Sequence, residues 1–225
     1  MRSERTRAVV LRRTNYGEAD RILQLITPLG RRSVMARSVR KEKSRLAGGI
    51  ELFAISDVVI GRGKGDLGIL TSARLVHFYR HIMEDYDRMQ FAYEALRQVG
   101  KASETLDEPE WYDIITEVLM GLDASSVVLP LTQAWFYLHV SAMLGYELNA
   151  QRDINDQKLQ EGVSYRYDSN ERGFVEAKNG TITTEHIKVL RLIKERPLQV
   201  IVQVGGIEQL LAECLYVARE HAALS

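Results

Sequence analysis

The spacing of apolar residues changes once along this chain, near residue 75. Before that point apolar residues come in short, β-branched runs bounded by turn residues. The runs RAVVLRRT (7–14), DRILQLIT (20–27), RRSVMARSV (31–39), LFAISDVVIG (52–61) and LGILTSAR (67–74) predict five strands. Their connectors are Asn15-Tyr16-Gly17, Pro28-Leu29-Gly30, a basic loop over 40–49, and Gly61-Arg62-Gly63-Lys64-Gly65. Pro28-Leu29-Gly30 is turn chemistry, with Gly30 free to take positive φ. Five strands in so short a span predict a small closed or nearly closed barrel, because closure removes exposed sheet edges. Alternation is imperfect in the first two strands, which fits a barrel wall partly covered by the rest of the chain.

Beyond residue 75 the period is helical. Tyr86 to Lys101 places Met89, Tyr93, Leu96 and Gly100 on one stripe, with Ala92, Ala95 and Val99 beside them. Pro109 and Pro130 each suit the first turn of a helix, the first running through Trp111, Ile115, Val118 and Leu122, the second through Leu131, Trp135, Leu138 and Ala142. Thr183 or Thr184 caps a further helix that stops before Pro197, and Gly205-Gly206 starts a last one carrying Ile207, Leu210, Leu211, Cys214, Leu215 and Ala218. Between these helices lies a polar excursion, 147–181, in which 163–167 and 173–177 flank Asp168-Ser169-Asn170-Glu171-Arg172 as a small hairpin. The fold class is therefore α+β, a barrel domain over 1–78 followed by a helical domain over 79–225 with a hairpin insertion.

Composition changes this picture in one respect. The 225 residues carry 30 basic and 30 acidic side chains, yet residues 1–80 hold 17 Lys/Arg against 7 Asp/Glu and the remainder 13 against 23. A neutral total conceals a basic barrel and an acidic helical body. A basic β module is the electrostatic footprint of a polyanion-binding surface, most simply nucleic acid. The single cysteine, Cys214, excludes an internal disulfide and a Cys-rich zinc site. Arg2, Glu4, Arg5 and Arg7 with no following apolar run give no secretory signal. The uncharged segment between Asp123 and Glu147 contains Pro130, Thr132, Gln133, His139 and Ser141 and lacks flanking Lys/Arg, so it predicts a buried core helix rather than a membrane span.

Candidate catalytic groups are few. Gly63-Lys64 is not followed by Ser/Thr at phosphate-loop spacing and reads as a basic hairpin turn. His77 and His81 have i,i+4 spacing, with Glu84 and Asp85 near, but no third ligand is evident and they read as surface histidines. Glu18 and Asp20 read as partners of Arg12, Arg13 or Arg21, and Cys214 as a core residue. No enzymatic activity and no cofactor are expected.

The basic cluster carries more. Arg31, Arg32, Arg37, Arg40, Lys41, Lys43 and Arg45 fall within fifteen residues, opposed only by Glu42. With Arg12 and Arg13 on the first strand and Arg62 and Lys64 at the Gly-rich turn, they form the expected DNA-binding set. Such a strip releases condensed counterions on binding, so affinity would fall steeply with salt. The plainer alternative is a solvated face without a ligand. Tyr16 and Phe53 are the aromatics in the first 75 residues suited to base stacking, so backbone-led binding with little sequence preference is expected.

The elements NYGEADRI (15–22), TPLG (27–30), KSRLAGGIELF (43–53) and LTSAR (70–74) occur in an order and spacing similar to the N-terminal barrel of the RecO family of bacterial recombination mediators. LGYELN (144–149), SYRYDSNERGFV (164–175) and TTEHIKVLRLI (183–193) follow that family's C-terminal order. The resemblance spans almost the whole chain, is strongest over 8–75 and is faint over 85–125.

It implies a five-stranded oligonucleotide-binding (OB-fold) barrel followed by a helical domain. It also implies binding to single- and double-stranded DNA, annealing of complementary strands in DNA repair and recombination, and, with a RecR-like partner, loading of recombinase onto strands coated by single-stranded-DNA-binding protein (SSB). That coating protein is recognised through an acidic, Phe-ended C-terminal tail, which needs an apolar pocket rimmed by cations. Lys188, Leu190, Arg191, Ile193 and Lys194 are the candidate tail-binding residues, and a solvated amphipathic helix is the competing reading. A cytoplasmic, nucleoid-associated protein is implied. Many family members carry a four-cysteine zinc motif in the region of 147–181. This chain has none there, so it resembles the zinc-free branch, no metal is expected, and the hairpin must be held by packing and hydrogen bonds. An RNA- or ribosome-associated OB-fold adaptor is the alternative, sharing the basic face without annealing DNA.

Overall fold

The computed structural model describes residues 3–223. Five strands, β1 (Glu4–Tyr16), β2 (Asp20–Thr27), β3 (Gly30–Ala36), β4 (Ala54–Lys64) and β5 (Leu67–Phe78), close into a barrel of order β1-β2-β3-β5-β4. All pairings are antiparallel except β3 with β5, the mark of a five-stranded Greek-key barrel of the oligonucleotide-binding type. The first hairpin turns at Gly17, whose φ of 54° a β-branched residue would resist. Residues 37–53 carry a short 3-10 turn, Ala47–Gly49, across to β4. Strand β3 stops at Ala36, so Arg37 belongs to the loop.

Ala8, Val10, Leu23, Leu25, Val34, Ala36, Val58, Ile60, Leu70 and Ala73 fill the barrel, with Val39 and Ile50 from the loop. Val9 and Ile26 are also buried, although their register points them outward, and so is Leu11 at a bulge in β1. The reason is α1 (Tyr86–Thr105) and α2 (Glu110–Asp123), which both pack on β1. A Cβ at Gly100 of α1 would lie 3.9 Å from Leu11 Cβ. The imperfect alternation of β1 and β2 is thus the signature of a wall buried on both sides. The change from strand to helix falls at Phe78, while the first compact unit runs through both helices to Asp123.

The second unit, Ala124–Ser225, contains α3 (Leu129–Met143), the hairpin β6 (Tyr165–Asp168) and β7 (Gly173–Glu176), α4 (Thr184–Glu195), α5 (Leu198–Ile201) and α6 (Leu211–Ala222). The uncharged segment is α3, which packs on α4, α5 and α6 and buries Trp135 and Phe136 on different faces. Among the described residues no helix is long and apolar enough to cross a membrane.

The 147–181 excursion is held without cysteine. Asn149 Oδ1 accepts from the backbone N–H of Gln151 and Arg152, Asp153 Oδ1 from Asn155 and Gln157, and Asp168 Oδ1 from Asn170 and Glu171. Tyr167 of the hairpin donates its hydroxyl to His221 Nδ1 (2.7 Å), and His221 Nε2–H donates to the Tyr146 carbonyl (2.7 Å). This arrangement uses the neutral imidazole on both sides. Burial pushes the His221 pKa below its ordinary 6.5, with Arg172 and Lys194 acting in the same direction against the opposing Tyr146 hydrogen bond. Burial also depresses His139, which stacks on Trp135 at 3.6 Å. The unfolded chain therefore binds more protons below pH 6.5, and stability present above that pH is lost as pH falls. Melting temperature should drop between about pH 7 and about pH 5, each histidine contributing at most about 1.4 kcal/mol per pH unit. His221→Asn should flatten that slope, and an unchanged slope would show that His221 takes no part.

Candidate nucleic-acid interface

The basic loop is tied to the first hairpin rather than left free. Asp20 Oδ1 accepts from Ser38 N–H at 2.6 Å, Arg40 N–H donates to the Ala19 carbonyl at 2.9 Å, and Arg40 Nη1 donates to the Gly17 carbonyl at 3.2 Å. Ser44 N–H then donates to the Lys41 carbonyl. These bonds fix the backbone and leave the side chains of Arg37, Lys41, Lys43 and Arg45 exposed, with no ion pair among the described residues. Arg40 is the anchor of the loop; the other four are its charge.

The remaining residues of the expected set divide by register. Arg13 pairs opposite Leu23 and Arg32 opposite Leu25, both core positions, so each arginine points to a mouth of the barrel. There Arg13 meets Glu51 at 3.0 Å and Arg32 meets Glu4 at 3.0 Å. Arg31 faces outward but meets Glu104 of α1 at 3.2 Å, and its backbone N–H donates to Asp107. Arg12, Arg62 and Lys64 are exposed and carry no ion pair among the described residues.

Two unpaired groups of cations therefore flank the outer surface of β2 and β3. The 37–45 loop follows Ala36, and the Arg62–Lys64 hairpin leads into Leu67, which pairs with Ser33 midway along β3. Half-buried Ile22, Gln24, Ser33 and Met35 line the strands between them, paired Ile22 with Met35 and Gln24 with Ser33. Glu104 holds Gln24 at 3.2 Å and places a carboxylate on this surface, so its most cationic part is the Ile22–Met35 end. Phe53 is buried, with its ring against Tyr93 at 4.9 Å, and offers no stacking platform. Tyr16, 55 % exposed beside the first turn, does. Tyr16→Ala should weaken single-strand binding by about 1–3 kcal/mol in a fluorescence titration while leaving duplex binding nearly unchanged, and equal losses on both would remove it as a stacking residue.

A family model described as "Recombination protein O N terminal" matches residues 1–79. The DNA repair protein RecO of Dehalococcoides mccartyi (strain 195) is 30 % identical over 218 residues, 93 % of this chain and 85 % of that protein. The chain belongs to the RecO family. The RecO protein of a Roseiflexus species is 36 % identical over 143 residues, 63 % of this chain and half of that protein's length. The RecO protein of Rubrobacter xylanophilus is 29 % identical over a similar stretch, 57 % of its length.

The second expected site of this RecO-family chain lies on α4. Leu190 and Ile193 are fully buried and belong to the helical core. Lys188 lies 3.0 Å from Glu185 and 3.6 Å from Glu161; the hydrogen bond to Glu185, followed by that charge, raises its pKa. Arg191 Nε donates to the Ala150 carbonyl at 2.8 Å, and Lys194 donates to the Leu148 carbonyl and meets Glu147 at 3.0 Å. A surface depression does exist here, lined among others by Lys158, Leu159, Ile187, Lys188 and Arg191. Lys158 and Leu159 come from a loop whose approach to α4 no local sequence pattern announces.

Groups weighed for catalysis fall elsewhere. His81 sits 3.3 Å from Asp123, His77 packs its ring on Tyr79, and burial pushes the Cys214 thiol up to about 12. Among the described residues no three His, Cys, Asp or Glu side chains gather as metal ligands.

Proposed function

We propose that this protein is a DNA-binding recombination mediator in DNA repair, acting at the nucleoid without catalysing a covalent step. The observation that carries the reading is the fixed basic loop, Arg37 to Arg45, whose unpaired cations stand beside the half-exposed Ile22–Met35 end of β2 and β3 on a closed barrel. The names of its relatives support the same reading. Cations held on a rigid backbone screen the phosphate repulsion between two strands, so that complementary bases meet and zip.

In this reading the protein anneals single strands, binds duplex DNA, and with a RecR-like partner helps place recombinase on strands coated by single-stranded-DNA-binding protein. The acidic tail of that protein would enter the depression beside α4, with Lys158, Lys188 and Arg191 as the cationic rim and Leu159 and Ile187 as the apolar lining. Leu190 and Ile193 would support that lining from the core. The test is the annealing rate of complementary strands with and without the protein across a salt series. Acceleration that fades as salt rises is expected, and no acceleration at low salt would reject the reading.

A further inference from the structure

The barrel wall formed by β1, β4 and β5 carries a second cationic groove, away from the β2–β3 surface. Register builds it: Arg7 pairs opposite Asp57 and Asp57 opposite Arg74, while Arg5 pairs opposite Val59 and Val59 opposite Ser72. Since Val58 and Ile60 fill the core, their alternating neighbours point outward, and these residues line one shallow groove with Thr6. Asp57 is the one carboxylate in its lining. It is shared, at 3.0 Å from Arg74 Nη2 and 3.8 Å from Arg7 Nε, and both arginines stay largely exposed, at 80 % and 63 %. Arg5 has no ion pair among the described residues.

Three guanidinium groups against one carboxylate leave donors to spare. Arg5 and Arg7 stand two strand residues apart, about 6.6 Å, and Arg74 lies two strands across, about 9.6 Å from β1. Planar forks at such spacing match oxygens of successive phosphates, which they bind bidentately. Val58 turns its side chain into the core, so Val59 is the apolar side chain that the strand register turns toward the groove, which disfavours an acidic peptide anchored by an aromatic residue.

We propose that this groove holds the phosphate backbone of a second nucleic-acid strand, while the basic loop and the β2–β3 surface hold the first. The inference deepens the annealing reading and rests on it for its purpose. It gives the barrel two strand sites on different walls, so that one protein molecule brings two strands together.

The experiment is native mass spectrometry of the full chain with an oligothymidylate of about six nucleotides, within the site size of one such barrel. The wild type should bind two per chain. R5E/R74E should bind one, R37E/K41E/K43E should bind one, and the combined variant none. Because Arg5 and Arg74 are exposed, melting curves of R5E/R74E should match the wild type, and R5Q/R74Q serves if the double reversal unfolds the chain. One oligonucleotide per wild-type chain, or two retained by R5E/R74E and by R5Q/R74Q, would overturn the groove. A Glu-rich hexapeptide displacing the oligonucleotide from R37E/K41E/K43E at lower concentration would overturn its assignment to nucleic acid. Two oligonucleotides bound without any annealing would leave the groove standing and remove the annealing reading. Annealing by a chain that binds only one would do the reverse.

Discussion

R37E/K41E/K43E should lose single-stranded DNA affinity by about a hundredfold or more at about 0.1 M salt, and the slope of log affinity against log salt should flatten by about two. The direction follows from the loop's construction. Its backbone is fixed by Asp20 and the Ala19 carbonyl, and the Arg40 side chain ties it to the Gly17 carbonyl, so its cations are presented in place rather than gathered on binding. Each contact made this way forfeits little ordering entropy. None of the three side chains holds an acidic partner among the described residues, so reversal breaks no internal pair and stability should shift by about 0.5 kcal/mol or less. R13E, in contrast, would face Glu51 at a barrel mouth and should lower the melting temperature. A triple variant that melts normally and still binds at moderate salt would move the interface off this loop.

The barrel was legible because its information is local. Each strand announces itself by β-branched runs, each turn by Gly, Pro or Asn, and five such units leave closure as the simplest way to hide their edges. The long helices were legible for the same reason, as were the Pro130 start and the Thr183 cap, whereas Ile207–Leu210 forms a 3-10 turn and the last helix begins only at Leu211. The sites were half legible. The excess of positive charge was plain, but Arg13, Arg31 and Arg32 meet Glu51, Glu104 and Glu4, acids 28 to 73 residues away. Such pairings depend on register and on α1 packing over β1, neither of which a linear pattern encodes. On α4 the sequence put Leu190 and Ile193 beside Lys188, Arg191 and Lys194 in one candidate site. It could not say that the cations would reach the loop at 147–161 while the apolar pair entered the core. The groove on β1, β4 and β5 had one local sign, Arg5 and Arg7 alternating in ERTRAVV, but Arg74 joins them only through two strand registers.

Gly48 and Gly49 look interchangeable in KSRLAGGIELF, yet replacing them with alanine should give opposite results. A Cβ on Gly48 meets nothing within 4 Å, so G48A should be neutral. A Cβ on Gly49 would lie 2.5 Å from the Ala73 carbonyl oxygen and 2.6 Å from Ala73 Cβ. The obstacle is β5 backbone, in a strand paired to β4, so it cannot rotate aside as a flexible side chain would. The short turn Ala47–Gly49 must instead lift off the barrel, taking buried Ile50 with it. Overpacking against backbone costs about 3 kcal/mol or more, and partial withdrawal of Ile50 adds to it. G49A should therefore melt several degrees below the wild type and G48A within about a degree of it, by a shift of roughly 2–4 °C per kcal/mol for a chain of this size. The effect reaches function, because the residues after β3 that end in this turn include the basic loop. At a temperature where G49A remains folded, its DNA affinity should still fall, while G48A binds as the wild type does. Equal melting temperatures for the two variants would mean that the turn does not rest on Ala73, and the loop would lose the support that presents its cations.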